Sequence, residues 1–108
     1  MATTYKVLGQ SNPAATTATT LYTVPAATSA VISTLSIANL GVSTTYRVAV
    51  RPAGASLANQ HYLAYDVPLN ANDSAMLTLG VTLAATDVVT VYAGTANLAF
   101  SLFGSELT

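Results

Sequence analysis

Apolar residues recur at every second position in segment after segment, and no apolar stripe of helical period runs long enough to compete with them. Tyr46, Val48 and Val50 alternate with Arg47, Ala49 and Arg51, which puts both arginines on the face opposite the apolar one. Val31, Leu35 and Ile37 share a parity, as do Leu77, Leu79, Val81 and Leu83, and again Leu98, Phe100 and Leu102. Side chains alternate between the two faces of a strand, so each run reads as a strand with one face in a core. The residues between the runs are turn formers: Asn12-Pro13, Val24-Pro25, Asn39-Leu40-Gly41, Arg51-Pro52-Ala53-Gly54, Val67-Pro68, Asn70 to Asp73, Thr86-Asp87 and Ala93-Gly94.

The pattern predicts strands near 4–9, 20–24, 29–39, 44–51, 61–67, 74–79, 87–93 and 97–103. About eight short antiparallel strands with frequent turns make an all-β, single-domain β-sandwich, of jelly-roll or immunoglobulin-like topology. The two topologies read alike in a sequence. The Ala-rich stretches 13–20 and 53–59 have room for one helical turn each. A chain of 108 residues holds one core, and no linker or internal repeat divides it. One domain over 1–108 is expected, with 1–20 as a partly extended N-terminal arm.

Charge narrows the function. Charged residues are 6% of the chain, against roughly 25% in an average soluble protein. Apolar residues are 52%, so the chain has ample material for a core and is not a disordered one. With a net charge of −1, its exterior must be Thr, Ser, Asn and Ala, a surface that favours association. Three basic residues, Lys6, Arg47 and Arg51, cannot make the stripe that nucleic acid requires. No apolar run approaches the ~18 residues that would span a bilayer. Met1-Ala2-Thr3-Thr4-Tyr5-Lys6 lacks the charged start and apolar stretch of a signal peptide, so synthesis in a cytoplasm is expected.

Chemistry is sparse. The chain has no Cys and one His, so disulfides and thiolate metal sites are excluded, and a His-based zinc site would need a second chain or several carboxylates. His61 is expected to be a structural or interface residue. Gly104-Ser105-Glu106 is the nearest approach to a nucleophile elbow and lacks the G-x-S-x-G pattern. Asp66, Asp73, Asp87 and Glu106 show no spacing that argues for a glycosidase pair. Asp73, after Asn70-Ala71-Asn72, is expected to close a turn with its own backbone and not to bind calcium. No catalytic residue, metal site or cofactor is expected. Tyr62 and Tyr65, three apart, should point to opposite faces, one into the core and one toward a partner.

Longer strings carry a resemblance. Leu21-Tyr22-Thr23-Val24-Pro25-Ala26, Ile37-Ala38-Asn39 and Tyr46-Arg47-Val48-Ala49-Val50-Arg51-Pro52 are similar to segments of small virion proteins of tailed bacteriophages, cyanophages among them. So are Tyr65-Asp66-Val67-Pro68-Leu69-Asn70-Ala71-Asn72-Asp73, Asp87-Val88-Val89-Thr90-Val91-Tyr92-Ala93 and Asn97-Leu98-Ala99-Phe100-Ser101-Leu102-Phe103-Gly104. The likeness runs from about Tyr5 to Glu106 and rests on strand and turn residues. It implies a structural role in a virion, at head or tail, and transfers no functional residue.

The resulting expectation is a capsid decoration, or cement, protein that binds the outside of a phage head and stabilises it. Its partners would be the major capsid protein or other virion proteins, and itself as a dimer or trimer, with neither nucleic acid nor membrane involved. Tyr5, Arg47, Arg51 and Tyr62 are the expected interface residues, and segments 1–20 and 52–60 the expected contact arms. A tail, baseplate or fibre protein is the alternative within the virion. A carbohydrate-binding or adhesion module is the alternative outside it, though no Trp is present to stack on a sugar ring.

Overall fold

A computed structural model describes residues 2–108. The alternating runs form β1 (Thr3–Ser11), β2 (Thr19–Thr23), β3 (Ser29–Asn39), β4 (Thr44–Arg51), β5 (Tyr62–Leu69), β6 (Ser74–Leu83), β7 (Val88–Ala93) and β8 (Leu98–Leu107). The expected strand positions hold for all eight, with β1, β6 and β8 extending several residues further. Among the described residues the one helical piece is a single 3₁₀ turn, Asn59–His61, in the connection between β4 and β5, which also holds a tight turn at Pro52–Gly54 with Ala53 and Gly54 in the left-handed region. The stretch 13–20 holds a turn and the start of β2 instead.

Strand order decides the topology. One sheet runs β1-β8-β3-β6 and the other β2-β7-β4-β5, all pairs antiparallel. Pairs β4·β5, β3·β6, β2·β7 and β1·β8 are nested about the β4–β5 connection, like one long double ribbon wound across two sheets. That is the jelly-roll order, and not the three-plus-four arrangement of an immunoglobulin constant domain.

Between the sheets lie Ile32, Leu35, Ile37, Leu98, Phe100 and Leu102 from one side and Tyr46, Val48, Val89, Val91 and Ala93 from the other, all buried. Each fully buried large apolar side chain contributes about 1.5–3 kcal/mol over its exposed state. That is why alternation must be kept in phase with the core, and where it is not, a bulge restores it. β3 breaks register between Ile32 and Thr34 against both of its neighbours. The expected shared face of Val31, Leu35 and Ile37 is therefore wrong across Ser33. Leu35 is 0% exposed and Ile32 1%, while Val31 points outward at 36%. Ser33 Oγ donates to the Phe103 carbonyl at 3.2 Å. Across from the bulge sits Gly104, where a Cβ would run into the Val31 carbonyl oxygen. The close approach of the two backbones needs a residue without a side chain.

Residues 3–11 are not a free arm. Thr3–Ser11 pairs with β8 along its length, and its Leu8 is buried. On this side the sandwich is closed: β1 lies against β2, and a Cβ on Gly9 would collide with the Leu21 carbonyl. At the far end, buried Asn39 ties two loops together. Its Nδ2 donates to the carbonyls of Val42 (2.8 Å), Asn70 (3.1 Å) and Leu69 (3.3 Å), and its Oδ1 accepts from Gly41 N (3.0 Å).

The Ser33 bulge makes opposite demands on two neighbouring residues. Ile32→Ala should cost about 2–5 kcal/mol and Val31→Thr about 0.5 kcal/mol or less in urea unfolding; uninterrupted alternation gives the reverse ranking. Asn39→Ala should cost about 1–3 kcal/mol by the same measurement, because it strands buried carbonyls without donors.

Candidate functional site

The chain's seven charged side chains (three Lys or Arg plus four Asp or Glu) are all engaged with the chain itself. Lys6 Nζ meets Glu106 Oε1 at 2.9 Å. Arg47 holds Asp66 through two nitrogens, Nε at 2.6 Å and Nη2 at 3.3 Å. Arg51 donates from Nε to Thr90 Oγ1 and from Nη1 to the Ala55 carbonyl, both at 3.0 Å. Asp87 accepts from Ala53 N and Ala84 N, both at 2.9 Å. Asp73 accepts from Ser74 N at 2.8 Å and closes the turn that begins at Asn70, as its sequence context predicts.

Two of these contacts shape the outer face of the sheet β2-β7-β4-β5. The Arg47 guanidinium lies between the rings of Tyr65 and Tyr92, 4.1 and 4.2 Å from their centroids. Tyr62 meets Tyr65 edge to face at 4.8 Å, so the two tyrosines share this outer face and neither is in the core. The expectation of opposite faces fails because β5 breaks register twice against β4, around Leu63 and around Tyr65-Asp66. Asp66 takes the left-handed backbone at φ 51°, a conformation Asp tolerates, and the extra residues bring both rings to one side. Arg51 then draws the connection 52–61 back over the sheet, which buries Thr90 and Val88 on an outward row. Segment 52–60 is pinned to the body and does not extend as an arm. His61 belongs to this same connection, its Nδ1 accepting from Ala58 N at 3.0 Å.

The outer face of β1-β8-β3-β6 is different in kind. Its outward positions include Thr3, Tyr5, Val7 and Gln10 on β1, alternate residues from Ala99 to Leu107 on β8, Val31, Thr34, Ser36 and Ala38 on β3, and Ser74, Met76, Thr78 and Thr82 on β6. None is charged. Pairing sets Val7 beside Phe103 and Phe103 beside Thr34, with Tyr5, Ser105 and Val31 as the next row. Tyr5 is 83% exposed and Met76 68%. An open hollow of about 500 Å³ runs over Tyr5, Val7, Val31 and Phe103.

Of the expected interface residues, Tyr5 thus stands alone on the uncharged face, while Arg47, Arg51 and Tyr62 sit together on the opposite one. The arginines are engaged with their own sheet and its covering loop. The uncharged face was missed as a unit because it joins residues far apart in sequence that only strand order brings side by side. Among the described residues no group of three or more His, Asp or Glu comes together to hold a metal ion, and no helix is long and apolar enough to cross a membrane.

Glu106 is the one buried acid, 9% exposed, between Lys6 and the Tyr22 hydroxyl, which donates to Oε2 at 2.5 Å. Those two donors hold its carboxyl below the usual glutamate value, against the opposing effect of burial. Burial first, and then the carboxylate, push the Tyr22 hydroxyl above its ordinary range. No family model matches the chain, and no curated protein matches it.

A depressed folded-state pKa contributes stability that is present above the unfolded glutamate value and lost as pH falls through the folded one. Between pH 7 and pH 3 the native protein should therefore lose more of its urea midpoint than Glu106→Gln does. Equal losses would dismiss the Lys6–Glu106–Tyr22 cluster as a source of acid sensitivity.

Proposed function

We propose that this chain is a structural protein of a tailed-phage virion: a capsid decoration protein that binds the outside of the head and stabilises it. The observation that carries the reading is the uncharged outer face of β1-β8-β3-β6, with Tyr5, Val7, Val31 and Met76 exposed on it. A protein whose charges are all engaged internally, and whose widest face is apolar and hydroxyl-bearing, is suited to a lattice of companions. Repeated weak contacts there add up by multivalency. Exposed Tyr with apolar neighbours is also the composition of a contact core from which charge is depleted. The likeness of its strand and turn segments to small virion proteins supports the same role. Jelly rolls recur in viral capsid domains, but also in lectins and cupins, so the fold by itself assigns nothing.

A second reading has one observation in its favour. Asn59, Tyr62 and Tyr65 line an open hollow of about 350 Å³, where aromatic rings and an amide could meet a sugar. It predicts saturable binding on a glycan array that Tyr65→Ala abolishes.

The decoration reading predicts that the purified protein co-sediments with phage heads in a copy number comparable to the major capsid protein. Tyr5→Lys should weaken that binding on the order of tenfold or more, because it sets a charge in a desolvated contact. Co-sedimentation with isolated tails alone moves the protein to the tail, baseplate or fibre. Binding to neither removes the virion assignment.

A further inference from the structure

The two long sides of the sandwich are built differently. Where β1 meets β2, Leu8 and Leu21 are buried and the sheets close on each other. Where β5 and β6 form the other side there is no such approach, and the inward side chains Leu77, Leu79 and Val81 of β6 remain only half-buried, as do Ala64 and Val67 of β5. Inward residues on the central strands are fully buried. The core is open along one flank.

The four edge strands of the two sheets also differ in how they resist pairing with another chain. Natural edges are blunted by charge, proline, shortness or irregularity. β5 carries Asp66, Pro68 and two register breaks. β2 has five residues and a break, and β1 has Lys6, a break and β2 against it. β6, Ser74-Ala-Met-Leu-Thr-Leu-Gly-Val-Thr-Leu83, has neither charge nor proline over its ten residues. Its one irregularity is Gly80, in the left-handed region at φ 60°, which leaves Ser74 to Leu79 as a regular edge.

We infer that the free edge of β6 is a homotypic contact, on which a second copy of this chain sets its own β6 antiparallel across a two-fold axis. The pairing joins two four-stranded sheets into one of eight. With the axis at Leu77 it places Leu77 beside its counterpart and Leu79 beside the other copy's Ala75, because cross-strand neighbours share a face, and it covers the open flank of both cores. A two-fold contact sets a patch against itself, which is repulsive for a charged strand and not for this one. With a net charge of −1 the two bodies have little long-range repulsion to overcome. The dimer would also present two uncharged outer faces as one continuous surface.

The test is the oligomeric state of the full chain by analytical ultracentrifugation. The unaltered protein should be a dimer. Met76→Lys/Thr78→Lys should weaken self-association on the order of tenfold or more, since like charges then face each other across the axis. Its far-UV circular dichroism should remain that of a β protein. Mixing it with Met76→Glu/Thr78→Glu should re-form the dimer, which misfolded chains would not do. Val7→Lys, on the same outer face but away from β6, should leave the dimer intact. A monomeric native protein, a lysine variant that stays dimeric, failure of the mixed variants to pair, or dissociation by Val7→Lys would each overturn the inference. A monomer that still binds heads would do so while leaving the decoration role standing.

Discussion

The apolar contact between the inner faces of the two sheets governs the rest of the molecule. It requires Leu35, Ile37, Leu98, Phe100 and Leu102 to meet Val48, Val89 and Val91 without a gap, and each strand must present its side chains in phase with that contact. The bulges follow from this demand. Ser33 shifts the phase of β3 so that Ile32 and Leu35 both point inward. Gly104 gives the shifted backbone the room it needs. On β5 the same kind of adjustment keeps Ala64 and Val67 turned to the core and, as a by-product, gathers Tyr62 and Tyr65 on the outside. The aromatic cluster around Arg47 is thus a consequence of core phasing two residues away.

Charge is used sparingly and locally. Each ionic side chain holds a particular piece of backbone or a partner side chain in place: Arg51 and Asp87 secure the connection over β4 and β7, Asp73 a turn, and Glu106 the corner between β1, β2 and β8. In a chain with four times as many charges these contacts would be incidental. Here, with the Arg47–Asp66 pair, they account for all of them, and the face of β1-β8-β3-β6 is left with hydroxyls, the Gln10 amide, aliphatics, Met76, Phe103 and one prominent tyrosine. A face of that kind has no electrostatic means of rejecting a neighbour. The half-open flank at β6 adds an apolar reason to acquire one.

Much of the architecture was legible in the residues. Alternation is a local property, so strands such as 29–39 and 44–51 could be placed from it alone, and turn residues marked their ends. The lack of cysteine ruled out disulfides and thiolate metal sites in the same direct way. The face of Val31 was not legible, because nothing in the triplet Ile32-Ser33-Thr34 announces a bulge. It keeps Ile32 and Leu35 in phase with the core and depends for room on Gly104, seventy-one positions away from Ser33 (104 − 33 = 71). Asn39 looked like turn punctuation and is a buried clamp on carbonyls of another loop. Tyr5 was expected as an interface residue and is exposed, but Val7, Val31, Phe103 and Met76 on the same face come from four strands and were not singled out.

The amino-acid order by itself determined that this chain would make strands, roughly where each lies, and that it would have little ionic character to offer solvent. Those are properties of neighbours within a few residues. Strand order, the inside or outside placement of residues near each bulge, the partner of every charge, and the contrast between a closed and an open flank were decided only by tertiary structure. They depend on which distant backbones come to lie side by side, and the energy that selects among those arrangements is the burial of one shared core.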